Sequence, residues 1–340
     1  MSEVFLRDGA KSLVDDQDLA LGETHADDGT GYGRNPVTDQ PYGTNEVLLA
    51  DFGRIIAEFW ADGPHSETPP GHWNTLANTV SDDPSLDHRI GGTEAVDRLE
   101  WDVKLYFALN GAMHDAAIAA WGAKARYDYV RPISMIRYMG GLGQSTDPDG
   151  PAYHPSGLPL VRGLIEVITD ETSGPGAHHA DLTDHVGEVA IRTWTGPPDD
   201  EENAVGGVEW IRAVEWLPYQ RDTFVTPAFA AYVSGHSAFS RAGAEVLTAF
   251  TGSDFFPGGL GEWTIPAGGL EFEAGPATDV SLQWATYQDA ADQAGISRIY
   301  GGIHVQADDF AGRRMGAECG RTAWALAVRY WDGVASPVQP

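Results

Sequence analysis

The stretch SRIYGGIH, Ser297–His304, decides how this chain is read. Arg298 and His304 stand six residues apart, with Gly301 and Gly302 between them. In one unbroken helix six residues turn through about 600°, so the two basic side chains would point in different directions. A glycine pair instead ends one helix and lets another begin. Both basic groups then converge on one spot from either side of the break. Extended to SRIYGGIHVQADD, the stretch sets Asp308 one turn beyond His304, where a carboxylate holds the ring by its other nitrogen.

Two further basic clusters lie upstream. In KARYDYVRP, Lys124 and Arg131 are seven residues apart, and two helical turns return them to one face before Pro132 ends the helix. In YVSGHS, Ser234, Gly235 and His236 open a helix with a hydroxyl, an unobstructed backbone N–H and an imidazole at the positive end of its dipole. Ser234 is the expected N-cap. Together Lys124, Arg131, Arg298, Ser234, Gly235, His236 and His304 make a concentration of cations and donors without chelating acids. Two arginine forks, one ammonium, a hydroxyl and an N–H suit a tetrahedral oxyanion. Two histidines then divide the labour, one bonding the central atom and the other moving protons.

The background makes this cluster stand out. The 340-residue chain carries a formal net charge of −29, and of its 21 lysines and arginines only Lys11, Lys104 and Lys124 are lysines. An acid-rich, lysine-poor surface suits a salt-adapted source, where self-repulsion is screened. It makes nucleic acid a poor partner. Cys319 is the only cysteine, which excludes an internal disulfide framework and reads as a small core residue. No signal-type apolar run opens the chain and no eighteen apolar residues follow one another, so a soluble, cytoplasmic protein without a membrane span is expected.

Residues 1–45, rich in Gly, Asp, Thr and Pro, read as an extended arm, and 46–335 as one mainly α domain of helical bundles. EVLLADFGRIIAEFWADG is amphipathic. Over 94–122, Val96, Leu99, Val103, Tyr106, Met113, Ala117 and Trp121 predict one buried stripe. LPLVRGLIEVITDE, HADLTDHVGEVAIRTW and VEWIRAVEWL are read as shorter helices, and GHSAFSRAGAEVLTAFTG as a strong one. Met315, Cys319, Thr322, Leu326 and Tyr330 predict the inner face of the last helix. EWTIPAGGLEFEAG is read as a small hairpin. His178-His179 invites a metal reading, but adjacent residues diverge on a regular element, and a solvated loop is the expectation.

The three basic segments, in order and with their internal spacing, resemble the signature shared by vanadium-dependent haloperoxidases, type 2 phosphatidic acid phosphatases and bacterial acid phosphatases. That signature is Lys, six residues, Arg-Pro; then Pro-Ser-Gly-His; then Ser-Arg, five residues, His, three residues, Asp. The chain matches it at Lys124, Arg131, Pro132, Ser234, Gly235, His236, Ser297, Arg298, His304 and Asp308, and departs at Val233, where the family usually has proline. The resemblance implies two four-helix-bundle-like halves in a compact α unit. It implies vanadate, or phosphate of the same shape, with His304 as axial ligand and Asp308 behind it. Lys124, Arg131, Arg298, Ser234 and the Gly235 N–H would neutralise the anion's oxygens, with His236 as the acid–base group.

The cradle itself does not separate haloperoxidase from phosphatase, but its surroundings favour the former. PAFAAYVSGH resembles a haloperoxidase segment, including Phe229 seven residues before the histidine. Trp121 falls where fungal chloride-oxidising members carry tryptophan, and the two aromatics would form an apolar halide niche. FWADGPHSETPP resembles a segment whose aspartate, here Asp62, pairs with a site arginine. Hydrogen peroxide, a halide and an organic acceptor are the implied partners. Family members often form helical dimers and often have longer chains. The alternatives are a phosphomonoester hydrolase with His304 as nucleophile, and a non-catalytic binding member of the fold.

Overall fold

The computed structural model describes residues 13–15, 34–43, 45–61, 63, 66–194, 208–220, 223–272 and 274–335. Most of the expected N-terminal arm, and Asp62, lie outside the described residues. Seven α-helices are seen among them: α1 (Leu49–Phe59), α2 (Pro69–Asp82), α3 (Arg98–Tyr127), α4 (Pro132–Leu142), α5 (Gly235–Thr251), α6 (Tyr287–Tyr300) and α7 (Gln306–Trp331). Their starts follow local chemistry. Thr68, Asp97 and Ser234 each accept the first free backbone N–H groups of α2, α3 and α5. Thr286 and Asp289 close a reciprocal capping box on α6.

The bundle is organised around α5, which packs on α7, α3, α6 and α2, while α1 lies on α6. Its core holds the buried rings of Trp60, Trp73, Trp101, Phe250, Trp284 and Tyr287. Trp60 and Trp284 both donate their indole N–H to Gln293 Oε1 at 3.1 Å, which satisfies two buried donors with one acceptor. Between α5 and α7 the contact is made by small residues. A Cβ on Gly312 would lie 2.6 Å from the Ser234 carbonyl oxygen, one on Gly320 2.7 Å from that of Ala242, and one on Gly316 would overlap that of Ala238. Glycine at every fourth position lets the two backbones touch.

This close packing corrects both expected stripes. On α3 the buried line is Trp101, Leu105, Leu109, Ala112, Met113, Ala116, Ala120 and Lys124. Leu99 and Val103, expected inside, are 74% and 61% exposed. On α7 the inner face is Ala311, Gly312, Gly316, Gly320, Ala323 and Ala327, while Leu326 and Tyr330 point outward. Apolar size was the misleading signal, because helices drawn together through Ala and Gly leave their large side chains outside.

Strands are short. The pairs β1 (Leu13–Asp15) with β2 (Glu46–Leu48) and β3 (Arg89–Ile90) with β4 (Glu94–Ala95) are antiparallel. A three-stranded antiparallel sheet, β5 (Ile165–Val167), β6 (Val189–Trp194) and β7 (Val208–Arg212), carries Ile165 opposite Ile191 and Ile191 opposite Ile211. These strands occupy the three segments read as short helices. Gly163 and Gly187, at φ of +75° and +92°, interrupt any helix there, and VAIRTW is a run of β-favouring residues suited to a central strand. The described residues are therefore mainly α, a helical bundle as expected, with a short sheet layer against α4. β8 (Gly261–Ile265) exists as expected, but its partner is β9 (Val280–Trp284). The residues expected to return the hairpin are anchored elsewhere: the N–H groups of Glu271 and Phe272 donate to Glu58 Oε2 at 2.7 and 3.3 Å.

Candidate active site

α3 ends at Tyr127, where Asp128 adopts a left-handed conformation, and Arg131 is already the N-cap of α4. Lys124 and Arg131 thus do not share a helix face, as their spacing suggested; a turn brings them together. The Ala231 N–H donates to Tyr129 O at 2.9 Å, and this tie holds the Phe229–Ala231 carbonyls against both cations. Lys124 Nζ donates to Ala230 O and Ala231 O at 2.9 and 2.8 Å. Arg131 donates through Nε to Phe229 O at 3.0 Å and through Nη1 to Ile303 O at 2.9 Å.

Between α6 and α7 the glycine break is real. Gly302 takes a φ of +73°, and a Cβ there would press on the Trp216 ring at 2.9 Å. The Ile303 N–H returns to Arg298 O at 3.1 Å and closes the turn. Arg298 is buried and donates from Nη1 to Ala57 O at 3.3 Å. His304 follows the turn and is buried as well. The second and third motifs are joined directly, since the Ser234 N–H donates to Asp308 O at 3.0 Å.

The hydrogen bonds fix the His304 tautomer. Its Nε2 lies 3.0 Å from Arg131 Nη1, and its Nδ1 lies 2.9 Å from Asp308 Oδ2. A guanidinium only donates, so Nε2 accepts; Nδ1 therefore carries the hydrogen and gives it to Asp308. Burial, then the charges of Arg131, Lys124, Arg298 and His236, hold the His304 pKa well below its ordinary 6.5. Of these groups Arg131 is in direct contact with the imidazole, at 3.0 Å. Burial, followed by the Arg131 charge, brings Lys124 down to about 7, and burial brings Arg131 to about 10. Asp308 is pushed up by burial, against the pull of the Val305 N–H, Lys124 and Arg131.

Beside Lys124 the lip of the site is aromatic. The Trp121 and Phe229 rings have centroids 5.2 Å apart, and Lys124 Nζ lies 5.7 and 5.3 Å from them. A Cβ on Gly235 would stand 3.1 Å from the Trp121 ring, so the first N–H of α5 is unobstructed only because the residue is glycine. Both rings remain exposed on their outer side.

Sequence reasoning missed the support beneath. Ser237 Oγ lies 2.8 Å from Ser234 Oγ and 2.7 Å from Asp309 Oδ1. Asp309 in turn accepts from Arg313, which also pairs with Asp292 at 2.7 Å. The four-residue spacing of Asp309 and Arg313 was the available signal.

An oxyanion fits this arrangement better than a metal cation. Lys124, Arg131 and Arg298 are all buried cations, Arg131 touches His304, and the buried Asp308 has an Oδ1 with no hydrogen-bond partner among the described residues. The Nε2 lone pair of His304 is a ligand atom set among hydrogen-bond donors. Fold and site together define a helical-bundle protein with buried basic side chains gathered about His304. Residues 104–333, more than half of the chain, match the family described as the VCPO second helical-bundle domain. The chain belongs to that family, within the vanadium haloperoxidase superfamily. Two solved structures of a bacterial vanadium-dependent chloroperoxidase share the fold. The apo form gives a TM-score of 0.56 at 20% identity, covering 84% of this chain and 46% of that one. The holo form gives 0.52 at 22%, covering 82% and 44%. This chain spans less than half the length of either. No curated protein matches it. Among the described residues no helix is long and apolar enough to cross a membrane.

Proposed function

We propose that the chain is a vanadate-dependent halogenating peroxidase, which oxidises halide with hydrogen peroxide to hypohalous acid. The observation that carries this reading is the His304 imidazole: neutral, protonated at Nδ1 by its bond to Asp308, and with the Nε2 lone pair turned toward Arg131. An oxyanion of vanadium bound there would supply an electrophilic centre that activates peroxide for oxygen transfer to halide. Lys124, Arg131 and Arg298, with the Ser234 hydroxyl and the Gly235 N–H, would hold and neutralise its oxygens. The overall reaction, H2O2 + X− + H+ giving HOX + H2O, consumes one proton, and His236 is the group assigned to deliver it. Trp121 and Phe229 would exclude water on the Lys124 side, where a weakly hydrated halide approaches.

A second reading shares the same observation. An unprotonated, buried Nε2 amid cations is also a phosphoryl-accepting nucleophile, with His236 protonating the leaving group. The exposed aromatic pair favours the first reading, since a phosphate ester gains little from it. Assay in every combination of vanadate, bromide and peroxide, beside p-nitrophenyl phosphate hydrolysis, separates the two. Bromination that requires all three additions is the expected result. Ester hydrolysis without bromination would replace this reading with the phosphatase. Loss of both, with no thermal protection by vanadate or phosphate, would leave a non-catalytic binding member.

A further inference from the structure

A second gathering of ligand-type side chains lies on the sheet layer. Glu166 in β5, with His178 and His179 in the turn before the 3-10 helix Ala180–His185, brings one oxygen and two ring nitrogens within 4.8 Å of one another. The pair expected in a solvated loop is in fact drawn together, because the turn is not a regular element: the two ring centroids are 4.2 Å apart. His178 Nε2 lies 2.8 Å and His179 Nε2 4.0 Å from Glu166 Oε2.

The remaining atoms of the group are already engaged in ways that aim these three inward. Glu166 Oε1 accepts from the Gly163 N–H at 2.7 Å. His179 Nδ1 lies 2.9 Å from Thr172 Oγ1, and the Thr172 hydroxyl donates to Thr169 O at 3.2 Å. With its hydrogen on Thr169 O, Thr172 can accept from Nδ1–H, the tautomer that puts the lone pair of His179 on Nε2. The His179 side chain is 0% exposed, and its Nε2 has no hydrogen-bond partner among the described residues. A buried imidazole nitrogen left without a partner destabilises the fold unless something fills it. Trp210 packs edge-on against the same ring at 4.5 Å and fixes its plane.

We propose that Glu166 Oε2, His178 Nε2 and His179 Nε2 bind one divalent transition-metal ion of the zinc type. Tetrahedral zinc with bonds of about 2.0–2.2 Å sets its ligand atoms roughly 3.3–3.5 Å apart. The observed 2.8 and 4.0 Å bracket that spacing, so small rotations of the exposed His178 and of the Glu166 carboxylate suffice. Three protein ligands leave a fourth position, which opens on a cleft of about 550 Å³ also lined by Arg162 and Arg192. Water or a small anion completes the coordination there.

Zinc titration of the metal-stripped full chain in 0.5 M NaCl, where exposed acids bind divalent ions weakly, tests this. One equivalent of Zn2+ should bind at micromolar affinity or better and raise the thermal midpoint. His178→Ala, at a half-exposed position the fold does not need, should weaken binding at least ~100-fold, and Glu166→Gln should do likewise. Co2+ in place of zinc should give the visible absorption of a tetrahedral site, lost in His178→Ala. Zinc that binds the two variants as tightly as the parent chain, or no stoichiometric binding at all, overturns the proposal. Neither residue touches His304 or its neighbours, so bromination tracks the first site independently.

Discussion

Lys124 holds its charge against burial and against Arg131, and its fall from 10.5 to about 7 corresponds to a cost on the order of 4 kcal/mol. The sign is that of a cation disfavoured by the fold. Below about pH 7 it is charged in folded and unfolded chain alike and the cost stands; between about 7 and 10.5 the unfolded state alone holds the proton, so stability rises with pH. A bound anion reverses this by restoring the proton. Sulfate, which stays dianionic throughout, should therefore bind with affinity flat below about pH 7 and falling toward tenfold per unit above it. Calorimetry should give a flatter profile for Lys124→Gln. Asp308→Ala removes the acceptor that fixes the His304 tautomer, and should cost about 10–100-fold in vanadate affinity with little change in fold; unaltered affinity would remove Asp308 from the account.

At the scale of elements, the Gly312–Gly316–Gly320 line sets how closely α7 approaches α5, and hence where Asp308 meets Ser234. Gly316→Ala would drive a methyl into the Ala238 carbonyl and should destabilise by about 1–3 kcal/mol or more. Gly111→Ala in α3, with nothing within 4 Å, should instead stabilise by roughly 0.5–1 kcal/mol. Denaturant midpoints of the two variants give the comparison. The same contrast explains what was legible in the sequence. Caps and breaks were, because Ser234 and the Gly301–Gly302 pair act locally. The three basic motifs were, because each spacing is short. The buried faces of α3 and α7 were not, since nothing local says that alanine and glycine, rather than Leu99 or Leu326, will face a neighbour. Nor were β5, β6 and β7, whose stability comes from pairing across fourteen to twenty-six residues. Glu166 with His178 and His179 was missed for that reason: one ligand comes from a strand and two from a turn, and only the sheet layer brings them together.

For the whole molecule, a formal net charge of −29 on 340 residues opposes compaction, while Lys124, Arg131 and Arg298 lie buried within it. Screening shortens from about 10 Å at 0.1 M to 3 Å at 1 M salt, so the thermal midpoint should rise by roughly 5 °C over that range; calorimetry showing a flat or falling midpoint would contradict a self-repelling surface. The claim on which the functional account turns is that His304 holds the oxyanion within this acidic shell. Vanadium content per chain, measured after incubation with vanadate and gel filtration, addresses it directly. The account predicts one vanadium per chain for the parent protein and none for His304→Ala with unchanged circular dichroism; a variant that retains as much vanadium as the parent would contradict it.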